Sequence, residues 1–115
     1  MSELNIDTDG SKTNQLVGAG YVMYRYRYLL RDDIFRLPET CTVFQAEVVA
    51  IKEAAIALRE MPEYKFIRFF VDSQAALWAL LAKEITSRLV LEAVEALNEA
   101  AQGRTIILNL SLIHI

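Results

Sequence analysis

Apolar and polar positions alternate at the start of the chain. Leu4, Ile6 and Thr8 fall on one side of residues 3–9, and Asn5, Asp7 and Asp9 on the other. This period of two is that of a strand with one buried face. Gly10 ends the strand, and polar residues 11–15 read as a turn. The Tyr-rich residues 18–27 give a second strand. Residues 28–35 give a third, paired with it as a hairpin, with Asp32 and Asp33 at a bend or exposed edge.

Farther along, the period lengthens. Thr42 followed by Gln45 is a capping-box pattern, in which the two side chains satisfy each other's free backbone N–H groups. It opens a helix that runs to about Met61, where Pro62 stops it. Residues 66–71 are nearly all apolar, as in a central parallel strand covered on both faces. Ser73 caps a short helix through Ala82. Thr86 or Ser87 caps another that ends near Gly103, and residues 105–110 form a last strand. The expected fold is α/β. A mixed five-stranded sheet begins with three antiparallel strands and continues with parallel strands joined by helical crossovers. Val90, Leu91, Val94 and Leu97 form the buried side of the last helix, and Glu92, Glu95 and Glu99 its wet side. Trp78 is expected in the core.

Composition adds limits. The chain has 115 residues, one domain's worth, with 54 % hydrophobic and 23 % charged residues, which excludes a disordered chain. No run reaches the roughly 18–20 apolar residues that span a bilayer. The first residues lack the basic start and apolar stretch of a signal peptide. The expectation is an intracellular protein that is not secreted and has no membrane partner. The single cysteine, Cys41, excludes an internal disulfide and reads as a small buried or half-buried side chain. Net charge is −3, from 12 basic and 15 acidic residues. That is not the footprint of a strong nucleic-acid binder, although carboxylates gathered around cations count against net charge while helping to bind phosphate.

Three acidic residues break local rules. Glu47 lies three or four residues from Val43, Phe44, Ala50 and Ile51, on the apolar side of its helix. A carboxylate there must be paired, protonated or bound to a cation, or reach out at the edge of the apolar stripe. Asp72 follows the apolar strand 66–71, and ligands of open α/β sheets bind beyond such strand ends. Its plainer reading is a helix cap. Asp9 precedes Gly10, and its plainer reading is a turn. If the first and fourth strands lie side by side and parallel, the three carboxylates converge. They then need a compensating cation, and hard oxygen ligands favour Mg²⁺ or Mn²⁺.

The successive segments Thr8-Asp9-Gly10-Ser11-Lys12, Gly18-Ala19-Gly20-Tyr21-Val22, Phe44-Gln45-Ala46-Glu47 and Asp72-Ser73-Gln74-Ala75-Ala76-Leu77 resemble the motifs of type 1 ribonuclease H domains. The likeness is greatest to the domains carried on non-LTR retrotransposon polyproteins, which residues 85–92 also resemble. It covers residues 3–109. It implies metal-dependent hydrolysis of the RNA strand of RNA–DNA hybrids and a two-metal site of Mg²⁺ or Mn²⁺. Asp9, Glu47 and Asp72 would be the catalytic metal ligands, and Ser11 and Gln74 would lie near the substrate backbone. The partners implied are the hybrid and a reverse transcriptase domain in the parent polyprotein.

The chain departs from the family at its end. The fourth acidic ligand, the assisting histidine and the closing helix of the family have no counterpart in this sequence. The resemblance therefore implies a C-terminally truncated domain with an impaired second metal site. An alternative reading is a catalytically impaired nucleic-acid-binding fragment of a retroelement. Residues 110–115, Leu-Ser-Leu-Ile-His-Ile, form an atypical tail that resembles a translated transposase mosaic end, so an assembly artefact is one explanation for it. His114 falls one residue off the family position. Asp7 stands where the family has an apolar residue. It is expected to be mildly destabilising, or else to add a carboxylate beside the metals.

Integrases and resolvases share this sheet, but the wording around Asp9 and Glu47 differs from theirs. A nucleotide-binding domain would need a glycine-rich phosphate loop, which is lacking. Tyr24, Tyr26 and Tyr28 are expected on one strand face. Sheet packing is the favoured role for them, and base stacking alongside Arg25, Arg27 and Arg31 the other.

Overall fold

The computed structural model describes residues 3–111. His114 and the rest of 112–115 lie outside the described residues. The strands are β1 (Glu3–Thr13), β2 (Leu16–Arg25), β3 (Tyr28–Leu37), β4 (Phe66–Val71) and β5 (Thr105–Leu110). The helices are α1 (Val43–Ala57), α2 (Gln74–Leu81) and α3 (Arg88–Ala100). They build one sheet of order β3-β2-β1-β4-β5. The β1–β2 and β2–β3 pairs are antiparallel, and β1–β4 and β4–β5 are parallel. This is the mixed α/β sheet that the pattern predicts.

The caps act as expected. The Thr42 hydroxyl accepts from Gln45 N–H at 3.0 Å, and the Gln45 amide oxygen accepts from Thr42 N–H at 2.8 Å. Ser73 caps α2 and Ser87 caps α3. A short 3-10 turn (Leu58–Glu60) closes α1 ahead of Pro62. Arg104 adds a second donor to two carbonyls of this ending, its guanidinium reaching Leu58 O at 3.2 Å and Met61 O at 3.0 Å, which also accept from Met61 N–H and Tyr64 N–H.

The core lies between the sheet and α1 and α3. Leu4, Ile6, Ile67, Phe69 and Val71 on the central strands are buried against Val48, Ile51, Ala54, Ala93 and Leu97. Small residues on α1 (Ala46, Ala50, Ala54 and Ala57) let it lie close to the strands. Outer-face ion pairs join α3 to α1 and to the 3-10 turn after it, Lys52–Glu92 at 3.6 Å and Arg59–Glu99 at 3.0 Å. The opposite sheet face carries Asp7, Val22, Arg68 and Phe70, which are half-buried or exposed. Strand β4 is therefore covered on one face and not on both. Its apolar run reflects Phe66 and Phe70 on the open side.

Several expectations fail for identifiable reasons. Strand β1 runs past Gly10 to Thr13, because Ser11, Lys12 and Thr13 pair with Gly18, Val17 and Leu16. The turn shrinks to Asn14 and Gln15, with Asn14 at φ 55°. Trp78 is 65 % exposed, since α2 turns Ala76 and Leu80 inward. Leu91 is also exposed. The buried side of α3 runs through Val90, Ala93, Ala96, Leu97 and Ala100, whose small side chains suit the close contact with α1. The tyrosines do not share a strand face. Arg25 pairs with Tyr28, so the hairpin turns at Tyr26 and Arg27, and Tyr26 and Tyr28 project from it.

A candidate carboxylate site at the sheet edge

Asp9 sits inside β1, paired with Gly20 of β2. It is not a turn residue. On its other side β4 ends, since Thr8 pairs with Val71, the last residue of that strand. Asp72 is therefore the first residue beyond β4, beside Asp9. It does not cap α2, because that role belongs to Ser73, whose hydroxyl accepts from Ala76 N–H at 3.0 Å. Glu47 comes from the first turns of α1 and is half-buried.

Gly10 explains why Glu47 reaches the sheet here. A Cβ at Gly10 would stand 2.7 Å from both the Ala46 carbonyl carbon and Glu47 Cγ, and closer still to the Glu47 backbone nitrogen. Only a residue without a side chain lets α1 settle on β1 at this point, one position after Asp9. The sequence marks Gly10 as a strand end, whereas its role is this close approach.

The three carboxylates share one electrostatic environment. Burial raises the Asp9 pKa above the usual carboxylate range. The charge of Asp72 raises it further, and the Gly10 N–H partly offsets both. Burial also raises Glu47. A hydrogen bond from the Ser73 hydroxyl offsets part of this rise, and the charges of Asp72 and Asp9 add to it. Ser73 therefore caps a helix and also lowers the pKa of a site carboxylate, and only its capping role is evident in the sequence. Among the described residues, no three acidic, histidine or cysteine side chains converge closely enough to hold one ion as they stand. The geometry is that of an open cluster. The mutual repulsion nonetheless shows that the groups lie within each other's field, and the hard oxygen donors suit a divalent cation.

Asp7 lies two residues before Asp9 on the same face and has a different partner. The Tyr24 hydroxyl donates to it at 3.2 Å. Burial still raises the Asp7 pKa, and the tyrosine pulls it part of the way back. Asp7 is thus a paired carboxylate of the open face.

Of the two expected binding residues, Ser11 lines a shallow groove with Asp9, Gly18, Ala19, Gly20 and Ile34. Gln74 is exposed at the first turn of α2, next to Ser73.

No protein-family model matches the sequence, and no curated protein matches it. Solved structures do. The RNase H1 of the halophilic archaeon Halobacterium salinarum superposes with a TM-score of 0.71 at 17 % identity, over 93 % of this chain and 83 % of that one. This chain has a ribonuclease H-like fold. The N-terminal RNase H domain of a Mycobacterium tuberculosis protein, solved as a fusion with maltose-binding protein, is also similar. It gives a TM-score of 0.70 at 13 % identity, over 96 % of this chain and 81 % of that one. Among the described residues, no helix of this ribonuclease H-like domain is long and apolar enough to cross a membrane.

Proposed function

We propose that this domain is a divalent-metal-dependent nuclease that hydrolyses the RNA strand of RNA–DNA hybrids. One observation carries the reading. On a ribonuclease H-like sheet, three carboxylates from three separate elements meet in a single field, and two of them are pushed up in part by the charge of the others. Asp9, Glu47 and Asp72 would hold the ions, Mg²⁺ or Mn²⁺. When bound, such ions activate water and neutralise charge on the departing 3′-oxygen.

The chain's own residues prepare the place. The Ser73 hydroxyl favours the ionised form of Glu47, and Gly10 brings α1 onto β1. Gly18 and Gly20 present no side chains beside Asp9, so a sugar–phosphate backbone can approach. Ser11 and Gln74 would contact that backbone. A hybrid read through its groove shape and 2′-hydroxyls calls for little base discrimination. The motif resemblance extends the proposal to a retroelement polyprotein, in which a reverse transcriptase domain would make the hybrid.

The test is cleavage of a labelled RNA–DNA hybrid with Mg²⁺ or Mn²⁺, beside Asp9→Asn. Metal-dependent cleavage that the substitution abolishes supports the nuclease. The open geometry of the cluster favours a second reading, in which the domain binds nucleic acid without cutting it. Hybrid binding with no cleavage at any metal concentration would select that reading.

A further inference from the structure

The tip of the β2–β3 hairpin is built unlike the rest of the surface. From Gly10 to Arg31 the sequence holds Lys12, Arg25, Arg27 and Arg31 and no acidic residue, in a chain whose net charge is −3. Arg31 is taken by Glu60 at 2.9 Å, whereas Arg25 ends β2 just before the turn and Arg27 lies in it. Tyr26 and Tyr28 are 71 % and 74 % exposed. The Arg25 guanidinium lies 5.6 Å from the centre of the Tyr26 ring. The nearest acids along the hairpin, Asp32 and Asp33, pair with Val22 and Tyr21, back toward the carboxylate site.

The backbone of the tip is also costly. Tyr26 holds φ at 57°. The left-handed region suits Gly or Asn at this place in a two-residue hairpin turn and strains an aromatic residue. The β1–β2 turn also spans two residues and starts with a left-handed one, Asn14 at φ 55°, as the chemistry prefers. At the second turn a strained tyrosine gains no burial in return. Exposed rings between arginines form the surface that stacks unpaired bases while cations hold the phosphates.

We infer that the β2–β3 hairpin tip binds single-stranded nucleic acid, namely the unpaired strand that runs on from a hybrid held at the carboxylate site. This rests on the nucleic-acid part of the proposed function. Along β2, Arg25 stands five positions after Gly20, the partner of Asp9. At about 3.4 Å per residue that is roughly 17 Å. A stacked strand rising about 3.4 Å per nucleotide covers the distance in about five nucleotides.

The experiment measures fluorescence anisotropy of the full chain with a blunt labelled hybrid and with the same hybrid carrying a ten-nucleotide single-stranded overhang. The overhang should tighten binding about tenfold, and Tyr26→Asn should remove most of that gain. The same variant should melt at a higher temperature, because asparagine fits the turn. Asp9→Asn should keep the overhang preference. An unchanged overhang preference in Tyr26→Asn overturns the inference, whatever the cleavage assay gives. Tyr26-dependent overhang binding without cleavage sinks the nuclease reading and leaves this one standing. A dimer in light scattering that Tyr26→Asn dissolves, with no overhang preference in either protein, would assign the rings to contact between copies and also overturn the inference.

Discussion

The two faces of strand β4 carry similar side chains in different surroundings. Phe69 is fully buried beneath the helices, whereas Phe70, the next residue, lies half-buried on the open face. Strand β1 shows the same contrast, with Leu4, Ile6 and Thr8 buried and Asp7 and Asp9 exposed. Stability is concentrated on the covered face. The open face and the sheet edge keep polar groups that a stability-driven design would remove. The carboxylate site lies where these regimes meet. Glu47 arrives with the covering helix, Asp9 belongs to the open side, and Asp72 follows directly on β4 beside it.

The largest expected effect tests the contrast directly. Phe69→Ala should destabilise the fold by about 3–5 kcal/mol, as loss of a packed core aromatic does. Phe70→Ala should cost about 1 kcal/mol, half or less of what full burial contributes. Equal losses in chemical denaturation would show that the open face is covered in solution.

Gly10→Ala comes next. The added methyl meets helix backbone, which cannot rotate away, so α1 must shift. Overpacking of this kind costs about 1–3 kcal/mol. Because the shift carries Glu47 with it, hybrid cleavage should fall more than stability does. A variant that keeps both wild-type stability and cleavage would refute the close-approach role of Gly10.

The carboxylates themselves should act on stability with a defined sign. Asp9 and Glu47 have pKa values raised in the fold, so the folded state holds their protons more tightly than the unfolded chain does. The stability they lend is full below the ordinary carboxylate range near about 4, and it is lost as pH rises through their raised values. Asp9→Asn should therefore flatten the fall in melting temperature between acid and neutral pH. Mg²⁺ should raise the melting temperature at neutral pH in the wild type and less in the variant. A wild-type melting temperature that Mg²⁺ leaves unmoved would argue against a cation site.

Most of the architecture is legible in the sequence, because strand periodicity and helix caps are local signals. Strands β4 and β5 fall on residues 66–71 and 105–110 as expected, and Thr42, Ser73 and Ser87 cap their helices. The anomalous placement of Glu47 is also a local signal. What is not legible depends on contacts between distant segments. Gly10 reads as a strand end until α1 lies on it. Trp78 reads as core until α2 packs through Ala76 and Leu80 instead. The strained turn at Tyr26 is hidden because tyrosine is a good strand residue and a poor turn residue.

The smallest expected effect concerns Asp7, where open-face chemistry is satisfied within the chain. The Tyr24 hydroxyl donates to the Asp7 carboxylate and lowers a pKa that burial raises. Tyr24→Phe removes only that donor and should cost about 0.5–1.5 kcal/mol at neutral pH. The bond is strongest to the ionised carboxylate. The deficit should therefore shrink as pH falls and Asp7 takes up its proton in both proteins. Cleavage should not follow this change if Asp7 stands outside the metal cluster. A Tyr24→Phe deficit that stays constant from acid to neutral pH would show that the ring's packing, and not its hydroxyl, holds this part of the open face. Loss of cleavage in the same variant would draw Asp7 into the site with Asp9.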